Sequence, residues 1–286
     1  MVTGAASGIG FAMAEGFAAE GMGVVMADVE ATALEEAAAK LVATGADVLA
    51  VLTDVRHAEQ LEALAEQTVS HFGAVHVVCN NAGVAGTAGG PLWETPLADW
   101  EWTLGVNLWG VVHGVRAFVP RLVAQGEGHV VNTASMAGLV SGVGGPYGVS
   151  KSGVVSLSES LHLSLQMAAP AVGVSVLCPG WVNTRIGEAE RNRPPELEVD
   201  RPVDPLAERS RRGLARVLES GMAPSLVAER VVAAIKTNRF YVLPHDDEAW
   251  LTPVRERMLD ILEGRNPMPR PVPGSDVMLA ALMEET

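Results

Sequence analysis

The chain has 286 residues, 48% hydrophobic and 19% charged, which is too apolar for disorder and enough for one large α/β core. Its formal charge of −14 would repel nucleic-acid phosphates and anionic lipid heads, so both are excluded as general partners and a small-molecule site remains. No apolar run approaches the roughly 20 residues that cross a bilayer, and no charged region followed by a long apolar one opens the chain, so neither membrane insertion nor export is expected.

The chain opens at Met1-Val2-Thr3 and reaches a glycine loop at once. That leaves little room for the strand such a loop follows, so a shortened start and a thinly supported sheet centre are expected. Strands are predicted over 23–27, 48–52, 75–79, 129–133, 172–177 and 240–243, and helices over 10–19, 31–44, 58–72, 98–124, 147–167 and 225–236. The strands read as continuous apolar runs alternating with helices, the pattern of a parallel sheet covered on both faces, so a doubly wound α/β fold is predicted. Cys79 and Cys178 lie inside two of these runs and read as core residues, which fits a reducing cytoplasm. Residues 100–118 are apolar on nearly every side, which predicts packing on the sheet by one face and on another subunit by the other, a homodimer or homotetramer. Residues 188–212, rich in Pro, Arg and Glu, read as irregular and as part of a lid over 185–222, and 266–273, with four prolines, as a tail. No linker divides the chain, so a single catalytic domain over 1–245 with an extension over 246–286 is expected.

The loop Thr3-Gly4-Ala5-Ala6-Ser7-Gly8-Ile9-Gly10 sets three glycines where a strand should turn into a helix. Such a loop makes a tight turn, lets the backbone approach a pyrophosphate and packs helix on strand; without a ligand it is only a glycine-rich turn. Asp28 ends the next apolar run eighteen positions after Gly10, near the offset at which a carboxylate binds ribose hydroxyls. It would repel a ribose phosphate, and neither Ser7 nor Val29 supplies a cation, so NAD is favoured over NADP. Tyr147 and Lys151 stand four apart at a helix start, on one face. Bringing a phenol from about pH 10 toward neutrality needs roughly 3 kcal/mol of preferential stabilisation, which Lys151 and a positively charged nicotinamide could supply.

Together these residues resemble the short-chain dehydrogenase/reductase family in its common short form, over about residues 2–245. The ordered set comprises the glycine loop, Asp54-Val55 after the third strand, Asn80-Asn81-Ala82-Gly83 after the fourth, and Asn107 in a long helix. Ser135 after the fifth strand, Tyr147 to Lys151, and Pro179-Gly180 after the sixth complete it. The resemblance implies Tyr147 as general acid/base, Lys151 as its electrostatic partner and ribose ligand, Ser135 as donor to the substrate oxygen and Asn107 as anchor of a water-linked proton path. It also implies that Asp54 and Val55 meet adenine, that Asn81, Ala82 and Gly83 line the ribose and phosphate side, and that Thr184 reaches the nicotinamide amide. Gly4, Ser7, Gly8, Ile9, Gly10, Pro179, Gly180 and Val182 join them as cofactor residues by the same resemblance.

In the resembling fold Trp93, Met136, Leu139, Trp181 and Val182 fall in segments that face the nicotinamide, which implies an apolar substrate of some bulk: a lipid-, terpenoid- or steroid-like secondary alcohol or ketone. The run 142–146 implies a roomy pocket floor. His113, His129 and His162 are widely spaced and read as structural, and no metal site is expected. Two other readings stay open: a nucleotide-binding regulator without catalysis, and an NADP-dependent ketone reductase.

Overall fold

A computed structural model describes residues 1–86, 91–142, 145–200 and 205–284. The apolar runs become strands of one seven-stranded sheet: β1 (Val2–Thr3), β2 (Val24–Asp28), β3 (Val48–Leu52), β4 (Val77–Asn80), β5 (Gly128–Thr133), β6 (Val172–Leu177) and β7 (Tyr241–Val242). Their order is β3-β2-β1-β4-β5-β6-β7, and every pairing is parallel. The thin support expected at the centre is not what the short first strand produces. Val2 pairs with Met26 on one side and Cys79 on the other and is fully buried.

The helices are α1 (Gly8–Ala19), α2 (Ala31–Ala43), α3 (Ala58–Phe72), α4 (Leu97–Leu104), α5 (Gly110–Gln125), α6 (Gly145–Ala168), α7 (Pro205–Glu219), α8 (Pro224–Lys236), α9 (Glu248–Glu263) and α10 (Ser275–Met283). Side chains of a strand alternate between faces, so Val24 and Met26 join α1, α2 and α8 in one core layer. Val25 and Ala27 join α3, α5 and the end of α6 in the other. Burial on both faces is why the strands carry no polar alternation. Each fully buried Leu, Phe or Val adds about 1.5–3 kcal/mol, so these two layers hold the sheet.

The single helix predicted over 98–124 is interrupted by a π turn, Gly105–Trp109, between α4 and α5. The sequence continues in helical residues there, so composition carries no sign of the extra residue in the turn. Residues 188–212 are not wholly irregular: Arg185–Asn192 and Pro195–Leu197 are 3-10 turns and α7 starts at Pro205. The charged residues that made this stretch read as a loop are partly tied up in pairs, as Arg193 is with Asp99, and α7 buries Gly213, Val217 and Leu218 on one side. The proline run over 266–273 is extended, but two unpredicted helices, α9 and α10, flank it.

Strand order reverses beside β1, between the β1-β2-β3 half and the β4-β5-β6-β7 half. The crevice beyond the carboxyl ends of β1 and β4 is where open α/β sheets take ligands. The glycine loop leaves β1 into it, and Asn81, Ala82 and Gly83 leave β4 into it.

Candidate active site

The glycine loop is shaped by its missing side chains. A Cβ on Gly10 would fall 2.0 Å from the Gly4 carbonyl oxygen, and one on Gly4 2.9 Å from Cα of Ala82. Gly4 and Gly8 also take φ of +65° and +56°, which other residues rarely adopt. Ser7 precedes α1 without capping it, and the first turn of α1 holds no acidic residue. Its amide end is therefore left to an anion from outside the helix. Thr3 Oγ1 accepts from the amides of Asn81 (2.9 Å) and Ala82 (3.1 Å), which ties this loop to the one after β4.

Asp28 ends β2 with its carboxylate held by the amides of Ala6 (2.9 Å) and Glu30 (3.1 Å). Burial raises its pKa, against those two hydrogen bonds. Thus the acid sits directly over the glycine loop. Asp54 pairs with Arg56 at 2.7 Å; burial works to raise its pKa, but the Arg56 hydrogen bonds hold it below the ordinary value. Val55 is buried against Gly110, where a Cβ would meet its Cγ2 at 2.7 Å. These are shapes and donors that fit a dinucleotide: a close-approach backbone cradle, free helix amides and a carboxylate at the ribose offset.

At the ends of β5 and β6 the reactive side chains converge. Ser135 is buried and starts a 3-10 turn, Met136–Gly138, with Oγ accepting from the Ala137 amide at 3.1 Å and lying 3.4 Å from the Pro179 carbonyl. Tyr147 stands in the first turn of α6. Burial pushes its phenol above the ordinary value, while a hydrogen bond with Ser135 acts the other way. Lys151 Nζ lies 5.7 Å from the Tyr147 ring centre and donates to the Thr133 carbonyl at 3.0 Å. Burial brings Lys151 down to about 8. In the protein alone, desolvation outweighs the Ser135 hydrogen bond and the phenol stays above its ordinary value.

Asn107 occupies the π turn and is fully buried. Its Oδ1 accepts from the Val84 amide (2.8 Å), and its Nδ2 donates to the Val84 carbonyl (3.0 Å) and to Ser150 Oγ (3.1 Å). Ser150 in turn donates to the Tyr147 carbonyl at 2.7 Å. Asn107 thereby joins the loop after β4 to the helix bearing Tyr147 and Lys151. π turns of this kind recur at functional sites.

Beyond β6, Thr184 lies over the glycine loop, its Cγ2 3.0 Å from where a Gly8 Cβ would be. Val182 is buried in the layer with α1 and α8. From here 185–197 runs back across the crevice: Arg191 pairs with Glu30 at 2.5 Å, Asn192 donates to the same carboxylate at 2.9 Å, and Arg193 pairs with Asp99 at 2.7 Å. Leu197 and Ala189 pack with Trp102 and Val84. Arg191 is thus a cation brought to Glu30, two positions after Asp28, that no local motif revealed, and Glu30 neutralises it.

Met136, Leu139 and Trp181 share one apolar cluster with Trp250 and Val272. Trp93 is 85% exposed, in the short 3-10 turn Leu92–Glu94, and is not in that cluster. Of the run 142–146, residues 143 and 144 lie outside the described residues, as do 201–204 of the lid segment. His113 contacts the Val55 carbonyl (3.0 Å), His129 contacts Ser175 Oγ (2.8 Å), and His162 stacks on Phe240. Cys79 and Cys178 are buried, unpaired thiols, each pushed up to about 12 by burial. Among the described residues no helix is long and apolar enough to cross a membrane.

Sequence reasoning missed His245. Gly180 must donate its amide to Nδ1 (3.1 Å), so Nε2 carries the proton toward the Trp181 carbonyl (3.0 Å). This clamps the turn after β6. A lone histidine after a short edge strand carries no local signal of that role.

A family model described as short chain dehydrogenase matches residues 1–195. A 1-deoxy-11-beta-hydroxypentalenate dehydrogenase from Streptomyces arenae is 39% identical, over 97% of this chain and 92% of that protein. A CLA biosynthesis dehydrogenase/reductase from Lactiplantibacillus plantarum is 33% identical over 86% and 87%. Among solved structures, a short chain dehydrogenase/reductase from Burkholderia phymatum in complex with NAD superposes with a TM-score of 0.89 at 44% identity, covering 94% of this chain and 96% of that one. With the expected doubly wound parallel sheet and this family match, the chain belongs to the short-chain dehydrogenase/reductase family of NAD(P)-dependent oxidoreductases.

Proposed function

We propose that this enzyme prefers NAD and interconverts a hydrophobic secondary alcohol and its ketone, with Tyr147 as general acid/base. The observation that carries the reading is the meeting of Tyr147, Ser135 and Lys151 at the ends of β5 and β6, beside a glycine loop that leaves room for a dinucleotide. The glycine loop and Asp28 would hold the dinucleotide, which when bound would supply the hydride acceptor and donor. Tyr147 Oη takes the alcohol proton in one direction and gives it back in the other. Ser135 Oγ donates to the same substrate oxygen. Lys151 stabilises the phenolate form that burial alone disfavours. Asn107 is a positioning residue that holds α6 against the loop after β4, and with it any water path to Lys151.

Asp28 supports NAD: a carboxylate at the ribose offset would repel a ribose phosphate, and Arg191, the cation paired with neighbouring Glu30, is neutralised there. The NAD complex of the similar protein from Burkholderia phymatum agrees with this. Apolar Met136, Leu139 and Trp181 support a hydrophobic substrate, and the Streptomyces arenae relative is named for oxidising a hydroxylated compound. Val149, Leu163 and Met167 recur exposed on one side of α6. That supports a homodimer or homotetramer, with gel filtration as its check.

The test is a panel of secondary alcohols, from cyclohexanol to a tetracyclic sterol, assayed by absorbance of the reduced nicotinamide with NAD and with NADP. Turnover of apolar alcohols with NAD at least tenfold faster than with NADP is expected. No turnover of any of them overturns the reading.

A further inference from the structure

The extension after residue 245 returns to the reacting centre from three directions. Trp250, in the first turn of α9, lies flat against the turn after β6: a Cβ on Gly180 would sit 2.5 Å from its Cη2. Two turns further, Arg257 Nη1 donates to the Gly138 carbonyl at 3.1 Å, in the loop that Ser135 starts. The proline run then crosses the loop that leads to Tyr147, where a Cβ on Gly142 would meet Cα of Pro269 at 3.3 Å. It ends on the Pro273 carbonyl, which accepts from Trp181 Nε1 at 2.6 Å.

Gly138, Gly142 and Trp181 mark the three backbone segments that frame the substrate oxygen in the reading above: after Ser135, before Tyr147 and after Pro179-Gly180. The tail touches all three. Its anchors are hydrogen bonds to main-chain carbonyls, tight glycine contacts and a run of prolines of fixed φ. Arg270 pins the run to α9 through Glu256 (2.5 Å) and Asp260 (2.7 Å). α10 then packs on α7, its Ala281 against Gly213. Between the anchors the tail presents Val272, packed with the cluster of Met136, Leu139 and Trp181.

We propose that the carboxy-terminal extension is the outer wall of the substrate pocket, and that Val272 sets the largest ring system the enzyme accepts. This rests on the dehydrogenase reading. The wall presents the Val272 side chain to the apolar cluster and is tied down at Gly138, Gly142 and Trp181. It selects apolar alcohols by size, since each added methylene must be accommodated by a backbone that cannot yield.

The experiment uses the full chain, Val272→Ala and Val272→Trp, with cyclohexanol and 2-decahydronaphthol as probes and NAD as coenzyme. Val272→Ala is expected to raise the ratio of kcat/KM for the bicyclic over the monocyclic alcohol at least tenfold, and Val272→Trp to lower it at least tenfold. NAD affinity within twofold of the parent shows that each variant is folded. Arg257→Met, which frees the tail from Gly138 without entering the pocket, is the second variant and is expected to move the ratio in the same direction as Val272→Ala. Ratios within twofold of the parent in all three variants, with the parent turning over both alcohols, would overturn the wall and leave the dehydrogenase reading standing. A parent that oxidises no secondary alcohol overturns both.

Discussion

Lys151 donates to the main-chain carbonyl of Thr133 at 3.0 Å from a position only 3% exposed. The amine is therefore held at the end of β5, 5.7 Å from the centre of the Tyr147 ring. A buried cation with one neutral partner is costly to the fold. Buried charges of this kind cluster at functional sites, and here the amine lies beside a buried phenol.

That cost is measurable. The folded-state pKa of Lys151 is about 8 against an unfolded 10.5, so below pH 8 both states are protonated and the folded state bears the full burial cost of roughly 3 kcal/mol. As pH rises from 8 to 10.5 the folded state sheds that charge first and stability rises. Lys151→Met is expected to be at least as stable as the parent at pH 7, to lack the parent's gain between pH 8 and 10, and to lose more than about 100-fold in kcat. Urea melts at the two pH values, with matched assays, check all three.

Coenzyme choice is expected to depend on one carboxylate. Asp28→Ala removes the acceptor for the Ala6 and Glu30 amides and the negative charge facing the crevice. The ratio of kcat/KM with NAD to that with NADP should fall at least tenfold, about 1.4 kcal/mol. A ratio that does not change would mean that another residue selects the coenzyme.

Acid sensitivity should come from the far end of the sheet. His129 is buried with Nε2 on Ser175 Oγ, and burial lowers it from 6.5 to about 4. A depressed folded value means its contribution is intact above 6.5 and is lost as pH falls through about 4, on the order of 3 kcal/mol in all. His129→Gln should lose less stability than the parent between pH 7 and 4.5. Urea midpoints of the two proteins at both pH values decide it.

Much of this was legible in the residues. The core strands could be read because both sheet faces are covered, so Val24–Asp28 and Val172–Leu177 carry no polar alternation. The crevice residues could be read because their spacing is set by strand ends. What stayed hidden was anything made by chain segments distant in sequence. Arg191 meets Glu30 across 161 positions, and Arg257 meets Gly138 across 119. No window of sequence contains either pair. The π turn at Asn107 was hidden for the opposite reason, since its neighbours are all helix-compatible. The burial of Tyr147, which raises its phenol in the protein alone, also escaped, because spacing shows the nearby amine but not the packing around the ring.

The most direct measurement is Tyr147→Phe, which deletes one oxygen. The variant should bind NAD within about threefold of the parent and oxidise a hydrophobic secondary alcohol more than 1000-fold more slowly, about 4 kcal/mol in the barrier. A variant that keeps even a tenth of the parent's turnover would show that the proton moves through another group.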